Sequence, residues 1–255
     1  MNRDQMIKYY IAYSKIRSTF NKDFKKDMKN YKKFQLSNDN FKVDNQFLYP
    51  CLDDKSESAG ILGSYFWQDL WAAQHIFKDN PKKHYDIGSR VDGFIGHLAS
   101  FRENIILIDI RPLSKKIPGV HFIQADATNL ENIPDDSIES LTSLCALEHF
   151  GLGRYGEPID PDAYFKSFKA IQNKIKKNGK VYISVPVGKE HLEFNAHRVF
   201  YPETIINSFD EMKLLEFSYI NHDIDQIEYN VKINKYDKDM SFGGKNFGLF
   251  LFQKL

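Results

Sequence analysis

The chain has 255 residues and a formal net charge of +1, long enough for one α/β domain with an appendage and too near neutral to argue for nucleic acid. Its two cysteines, Cys51 and Cys145, are too few for a disulfide framework and lack metal-ligand spacing, which points to a reducing cytoplasm. No run approaches the ~20 apolar residues of a membrane span, and Arg3, Asp4, Lys8, Lys15 and Arg17 speak against a secretory signal.

From Met6 to Phe34, apolar residues recur every three or four positions (Met6, Tyr10, Tyr13, Ile16, Phe20, Phe24, Met28, Tyr31, Phe34) and predict a helix. Its basic side, Lys22, Lys25, Lys26, Lys29, Lys32 and Lys33, suits either an anionic surface or plain solvent. Asp23 and Asp27 interrupt the charge and favour solvent. Residues 37–58 are polar, so the expected organisation is an N-terminal helical appendage with its linker over 1–58 and a main domain over 59–255. An oligomer could form through that first helix.

A helix is expected over Tyr65–Asp79, with Phe66, Leu70, Ala73 and Phe77 on its inner face and Pro81 as its stop. Strands follow, ending at Asp86-Ile87-Gly88, at Asp109 and at Phe122–Ala125, and a fourth lies within Asp135–Leu144. The next helix is predicted from an Asp160 cap and Pro161 to Gly179, followed by a strand at Val181–Val185 and a helix opened by Pro202. Two aromatic runs, Leu214–Tyr219 and Phe247–Phe252, complete an α/β fold that ends in an antiparallel pair.

The chemistry gathers at the strand tips. In an open parallel sheet, ligands lie beyond the carboxyl ends of the strands where the chain order reverses. Gly88 allows close backbone approach there. Asp109, about twenty residues on, is placed to accept from both hydroxyls of a ribose, and Asp126 from an exocyclic amine. Asp86 suits organising the Gly88 turn. A dinucleotide would need a G-x-G-x-x-G turn around its pyrophosphate. Here the turn reads Gly88-Ser89-Arg90-Val91-Asp92-Gly93, and Asp92 would repel a diphosphate. An adenosine bearing an amino-acid tail fits better.

The run Asp86-x-Gly88, Asp109, Asp126-Ala127 and Leu144-Cys145-Ala146-Leu147-Glu148-His149 resembles the class I S-adenosylmethionine-dependent methyltransferases. Phe66-Trp67-Gln68-Asp69, Glu148-His149-Phe150-Gly151-Leu152-Gly153-Arg154-Tyr155-Gly156 and Phe194-Asn195-Ala196-His197-Arg198 are similar to a methyltransferase-like family first catalogued as a domain of unknown function from nematodes and also found in bacteria. The likeness spans roughly residues 60–222. It implies a Rossmann-like class I methyltransferase fold, a mostly parallel seven-stranded sheet with an antiparallel last strand. It also implies S-adenosyl-L-methionine as cofactor, held by Asp86, Gly88, Ser89, Arg90, Asp109, Ile110, Asp126, Ala127, Leu144 and Cys145. Arg90 stands where a glycine is usual.

Methyl transfer to a hydroxyl calls for a base, and His149 and His197 sit after the fourth and fifth strands, where either could serve. Arg154, Tyr155, Asn195 and Arg198 are the expected contacts to a small polar acceptor. Bacterial relatives suggest a sugar or phosphosugar unit of surface polysaccharide. Glu148 reads two ways: it balances a sulfonium charge, or it is a buried partner for Arg90 or Arg154. No metal is expected, since neither His-x-x-x-His nor Cys-x-x-Cys occurs. Three alternatives are N-methylation of a small amine, a nicotinamide-dependent oxidoreductase, and a nucleoside-binding module without catalysis.

Overall fold

The computed structural model describes residues 21–34, 41–51, 62–236 and 246–255. The chain divides into two compact units, Met1–Ile61 and Leu62–Leu255. In the first, residues 21–34 form a helix, α1; the expected turns from Met6 to Phe20 lie outside the described residues. Within α1, Phe24 and Met28 are half-buried, while Tyr31 and Phe34 are exposed.

The second unit opens with α2 (Ser64–Asp79). Asn80 stops it in the left-handed conformation at φ 43°, its N–H bonded to the Ile76 carbonyl, and Pro81 prevents resumption. The expected inner face holds only in part: Ala73 is buried and Leu70 half-buried, but Phe66 and Phe77 are exposed, and Gln68, Asp69, Trp71, Ala72 and Ile76 are buried instead. Both faces carry apolar residues, so periodicity could not choose. The polar pair Gln68-Asp69 goes inward because Gln68 Oε1 accepts from the Ser184 hydroxyl at 2.8 Å and the Cys145 thiol at 3.0 Å.

Strands β1 (His84–Ile87), β2 (Ile105–Asp109), β3 (Val120–Gln124), β4 (Ile138–Leu144) and β5 (Ile175–Val187) alternate with α3 (Gly96–Ala99), which continues a π-helical turn, and α4 (Ala163–Lys174). The β6 (His191–Glu193) and β7 (His197–Val199) hairpin precedes α5 (Pro202–Ser208), β8 (Met212–Asn221), β9 (Gln226–Glu228) and β10 (Asn246–Lys254). The main sheet runs β3-β2-β1-β4-β5-β10-β8-β9, with β3, β2, β1, β4 and β5 mutually parallel and β10 antiparallel to both neighbours. The expected seven strands are joined by short β9, paired antiparallel to β8.

Two differences in the α4 region have local causes. The helix begins at Ala163 and stops at Lys174, short of Gly179, because Ile175 turns extended and already pairs with Ile138. Asp160 is not its cap: its Oδ1 accepts from the Asp162 N–H at 3.0 Å in the preceding turn, and its Oδ2 holds Lys166 at 2.6 Å.

Helices cover both faces of the sheet, and the strand pleat sorts side chains between them. Ile106 and Ile108 of β2 pack with Phe168 and Ile171 of α4; their neighbours Ile105 and Leu107 pack with Trp71 and Ile76 of α2 and Leu98 of α3. Phe168 stacks among Tyr164, Phe200 and Phe209 and is fully buried; truncating such a residue to alanine costs about 3–5 kcal/mol. The strand order reverses between the parallel neighbours β1 and β4, and the carboxyl end of the strands at that point is occupied by Gly88, Asp109 and Cys145.

Candidate functional site

β1 ends at Ile87 and the chain turns at once through Gly88, at φ +71°. Buried Asp86 ties the turn from beneath, accepting from the Ser89 N–H at 3.0 Å, the Ser89 hydroxyl at 2.7 Å and the Thr142 hydroxyl at 2.5 Å. The Ser89 hydroxyl in turn accepts from the Leu144 N–H at 3.2 Å, locking the tips of β1 and β4 together. Burial pushes the Asp86 carboxyl up to about 6 against those donated bonds. A Cβ at position 88 would stand 2.9 Å from the Ala146 Cβ, so only a bare backbone fits.

Beside this turn opens a cleft whose empty space, counted to its open mouth, is about 810 Å³. Its walls include Ile87, Gly88, Asp109, Ile110, Arg111, Asp126, Ala127, Cys145, Ala146, His149, Gly151 and Tyr155. Gly151, at φ +73°, is required as well, since a side chain there would run into the Asp160 carbonyl. Among the expected cofactor residues, Gly88, Asp109, Ile110, Asp126, Ala127 and Cys145 meet at the cleft. Asp86, Ser89, Arg90 and Leu144 do not line it. Asp86 and Ser89 support the turn from behind, Leu144 is in the core, and exposed Arg90 pairs with Asp92 at 3.0 and 2.7 Å.

Asp109 already has a partner that sequence reasoning missed. Arg111 donates its backbone N–H and its Nε to Oδ1 at 2.8 and 3.0 Å, and its Nη2 to Oδ2 at 2.7 Å. The same guanidinium stacks on Tyr155 at 4.3 Å. A basic residue two positions after a strand-end acid was the available signal. Asp126 is less engaged, accepting from the Thr128 N–H at 2.8 Å.

The two histidines part company. His149 lines the cleft, in a 3-10 turn (Leu147–His149) just past β4. Its Nδ1 lies 2.6 Å from the Ala196 carbonyl, which can only accept, and 3.2 Å from Arg154 Nη1, which can only donate; the much shorter contact puts the proton on Nδ1 and leaves Nε2 as an acceptor. Burial pulls His149 down to about 4, so the ring is neutral near pH 7. His197, on β7, is outside the cleft lining, 6.2 Å from His149 between ring centroids, with Nε2 3.3 Å from Glu193 Oε2.

The acceptor residues divide likewise. Tyr155 faces the cleft, its ring between Arg111 and Arg154. Arg154 is exposed and donates to the Ala196 carbonyl at 2.9 Å. Asn195 is exposed at the tip of the β6–β7 hairpin. Arg198 is not at the rim: it donates to the carbonyls of Glu148, Phe150 and Pro161 at 3.3, 2.7 and 3.2 Å and stacks on Tyr164 at 4.7 Å. Three carbonyls occupy its fork, which makes it a strap between β7 and the loop after β4. Sequence reasoning also passed over Asp69, whose carboxyl burial pushes up to about 7 although Gln68 Nε2 donates to it at 3.2 Å. Among the described residues no group of three His, Cys, Asp or Glu side chains could hold a metal ion, and no helix is long and apolar enough to cross a membrane.

Residues 123–242 match the family described as Caenorhabditis protein of unknown function, DUF268. That segment is a little under half of the chain. The 1,6-didemethyltoxoflavin-N1-methyltransferase of Burkholderia thailandensis, solved with 1,6-didemethyltoxoflavin and S-adenosylhomocysteine, aligns with a TM-score of 0.50 at 13% identity, over 73% of this chain and 78% of that one. The [4+2]-cyclase SpnF aligns with a TM-score of 0.51 at 11% identity, over 76% of this chain and 87% of that one. No curated protein matches the sequence. The chain therefore has the Rossmann-like fold of these two structures. One of these two structures is a methyltransferase and the other a cyclase, so the fold does not by itself choose the reaction.

Proposed function

We propose that this protein is an S-adenosylmethionine-dependent methyltransferase acting on a small polar acceptor. The observation that carries the reading is the cleft at the sheet's reversal point, where a glycine with no room for a Cβ faces carboxylates from the next two strand ends. These residues fit the cofactor: Gly88 leaves backbone bare, Asp109 offers two oxygens to a ribose diol, Asp126 suits an exocyclic amine, and Ile110 and Ala127 are apolar neighbours for a base. Arg111 has to release at least part of Asp109 for the diol to take both oxygens. Bound S-adenosylmethionine supplies a methyl group on a positively charged sulfur, activated for in-line displacement.

The chain's own contribution is alignment and dehydration. The Ala196 carbonyl fixes the His149 tautomer, leaving Nε2 to accept a hydrogen bond from the acceptor's hydroxyl or amine. Tyr155 screens the cleft mouth. For a sugar or phosphosugar acceptor, the support is exposed Arg154 beside Tyr155; Arg198 lends none, being spent on carbonyls. A second reading, an amine acceptor, is favoured by the downward shift of His149, because a group titrating near 4 is a weak base for a hydroxyl. A cytoplasmic location remains part of the proposal, on cysteine usage alone.

The test is calorimetric titration with S-adenosylmethionine and S-adenosylhomocysteine, then transfer of labelled methyl into a cell extract. Binding of both, lost in Asp109→Ala, is expected. Binding of NAD in place of either ligand would overturn the reading.

A further inference from the structure

Glu148 sits at the centre of the turn past β4, between cleft-lining Cys145, Ala146 and His149. It is 1% exposed. Its Oε2 has no hydrogen-bond partner among the described residues, and its Oε1 lies 3.7 Å from His149 Nε2, too far for a hydrogen bond. Neither arginine forms an ion pair with it: Arg90 is bidentate on Asp92, and Arg154, whose charge reaches Glu148, is hydrogen-bonded to the Ala196 carbonyl. Arg198 touches only its backbone carbonyl. The remaining titratable groups that feel it are Tyr65 of α2, Cys145 on its own loop, and Tyr155 on the following one. None of these is a cation.

A buried carboxyl with an unpartnered oxygen calls for an explanation, because native interiors satisfy such groups. Packing supplies none here, since a leucine or methionine would fill the space without a polar atom. Glu148 is not itself in the cleft lining, but Cys145, Ala146 and His149 around it are, which leaves a ligand as the candidate partner.

We propose that Glu148 is the counter-charge for the sulfonium of S-adenosylmethionine, by which the cleft tells the methyl donor from its demethylated product. This rests on the nucleoside reading of the cleft. The argument is electrostatic. Burial outweighs the downward pull of the Cys145 thiol's hydrogen bond and of the Arg154 charge and pushes the Glu148 carboxyl up to about 8, so it is mostly protonated at pH 7. A fixed positive charge nearby draws the proton off and is held by the resulting carboxylate. A thioether offers no such charge: the carboxyl stays protonated and the product is held by its adenosine and amino-acid ends alone.

The experiment is calorimetric titration of the full chain and of Glu148→Gln with three probes: S-adenosylmethionine, S-adenosylhomocysteine, and sinefungin, which carries an amine-bearing carbon in place of the methylated sulfur. Glu148→Gln is expected to weaken both cationic ligands at least tenfold and S-adenosylhomocysteine less than twofold. The unaltered chain supplies an independent readout that survives any folding defect in the variant. Titrations at pH 7 in buffers of different ionisation enthalpy count protons, and release is expected with the two cationic ligands and not with S-adenosylhomocysteine. Asp69, also pushed up by burial, is the competing source. Release that persists in Glu148→Gln assigns it to Asp69 and overturns the proposal, as does an equal loss for all three ligands. Failure of all three to bind the unaltered chain overturns the nucleoside reading and the proposal with it, whereas normal S-adenosylhomocysteine binding with unaltered selectivity sinks only the role of Glu148.

Discussion

Arg111 closes over Asp109 in a two-pronged ion pair, Nε to Oδ1 at 3.0 Å and Nη2 to Oδ2 at 2.7 Å, with its face on Tyr155. The carboxylate best placed to grip a ribose is thus held by a residue two positions away, and a nucleoside has to compete for it. Surface pairs of this kind contribute about 0.2–1 kcal/mol. Arg111→Ala is therefore expected to tighten S-adenosylhomocysteine binding by up to about fivefold and to leave the melting temperature nearly unchanged. Weaker binding in calorimetry would mean that Arg111 holds the ligand instead of competing with it.

Gly88→Ala meets two obstacles, a left-handed backbone and a Cβ 2.9 Å from that of Ala146. The first alone costs roughly 1–2 kcal/mol. The variant is expected to melt several degrees lower and to lose S-adenosylhomocysteine affinity more than tenfold. A control at Gly156, also left-handed but with open space around its Cβ position, should show only the stability loss.

The parts of the fold and site legible in the sequence were those set by local rules. Pro81, the apolar strand runs and the acids at their tips each act within a few residues, and β1, β2, β4, β8 and β10 lie where those runs predict. Other features depended on distant partners. The inward face of α2 is decided by Ser184 and Cys145, more than seventy residues from Gln68 in sequence. Arg198, in a stretch that looked like an acceptor site, is captured by carbonyls from the loop after β4 that no periodicity reveals. His84, passed over as an ordinary strand residue, is fully buried with Nδ1 and Nε2 on the Ser140 and Thr142 hydroxyls at 2.8 and 2.9 Å.

The ligand-free chain should be most stable in mild acid. Burial pushes Glu148, Asp69 and Asp86 up to about 8, 7 and 6, so the folded chain keeps protons that the unfolded one has released above about pH 4. Their contribution to stability therefore falls as pH rises toward those values. His84 acts in the opposite sense: burial pulls it down to about 3, and its contribution is lost as pH falls below about 6.5, where the unfolded imidazole takes a proton. Glu148→Gln removes only an alkaline loss. Its melting temperature should gain on that of the unaltered chain from pH 5 to pH 8, and parallel profiles would contradict a raised Glu148.

The last expectation separates the two histidines. His149 lines the cleft with Nε2 as acceptor, while His197 stands behind it, paired with Glu193. His149→Ala should lower labelled methyl transfer by about a hundredfold, the lower end of what a positioned acid–base group contributes, and change S-adenosylhomocysteine affinity less than twofold. His197→Ala should lower transfer less than tenfold, and through stability, because its link to the chemistry runs through the hairpin that presents the Ala196 carbonyl. The pH dependence adds a check that a structural role for His149 would not meet. With His149 held near 4, transfer should show no ascending limb between pH 6 and 8 from this residue. A limb in that range abolished by His149→Ala would show that acceptor binding raises the imidazole toward neutrality, favouring a hydroxyl over an amine; a larger loss from His197→Ala would reverse the assignment.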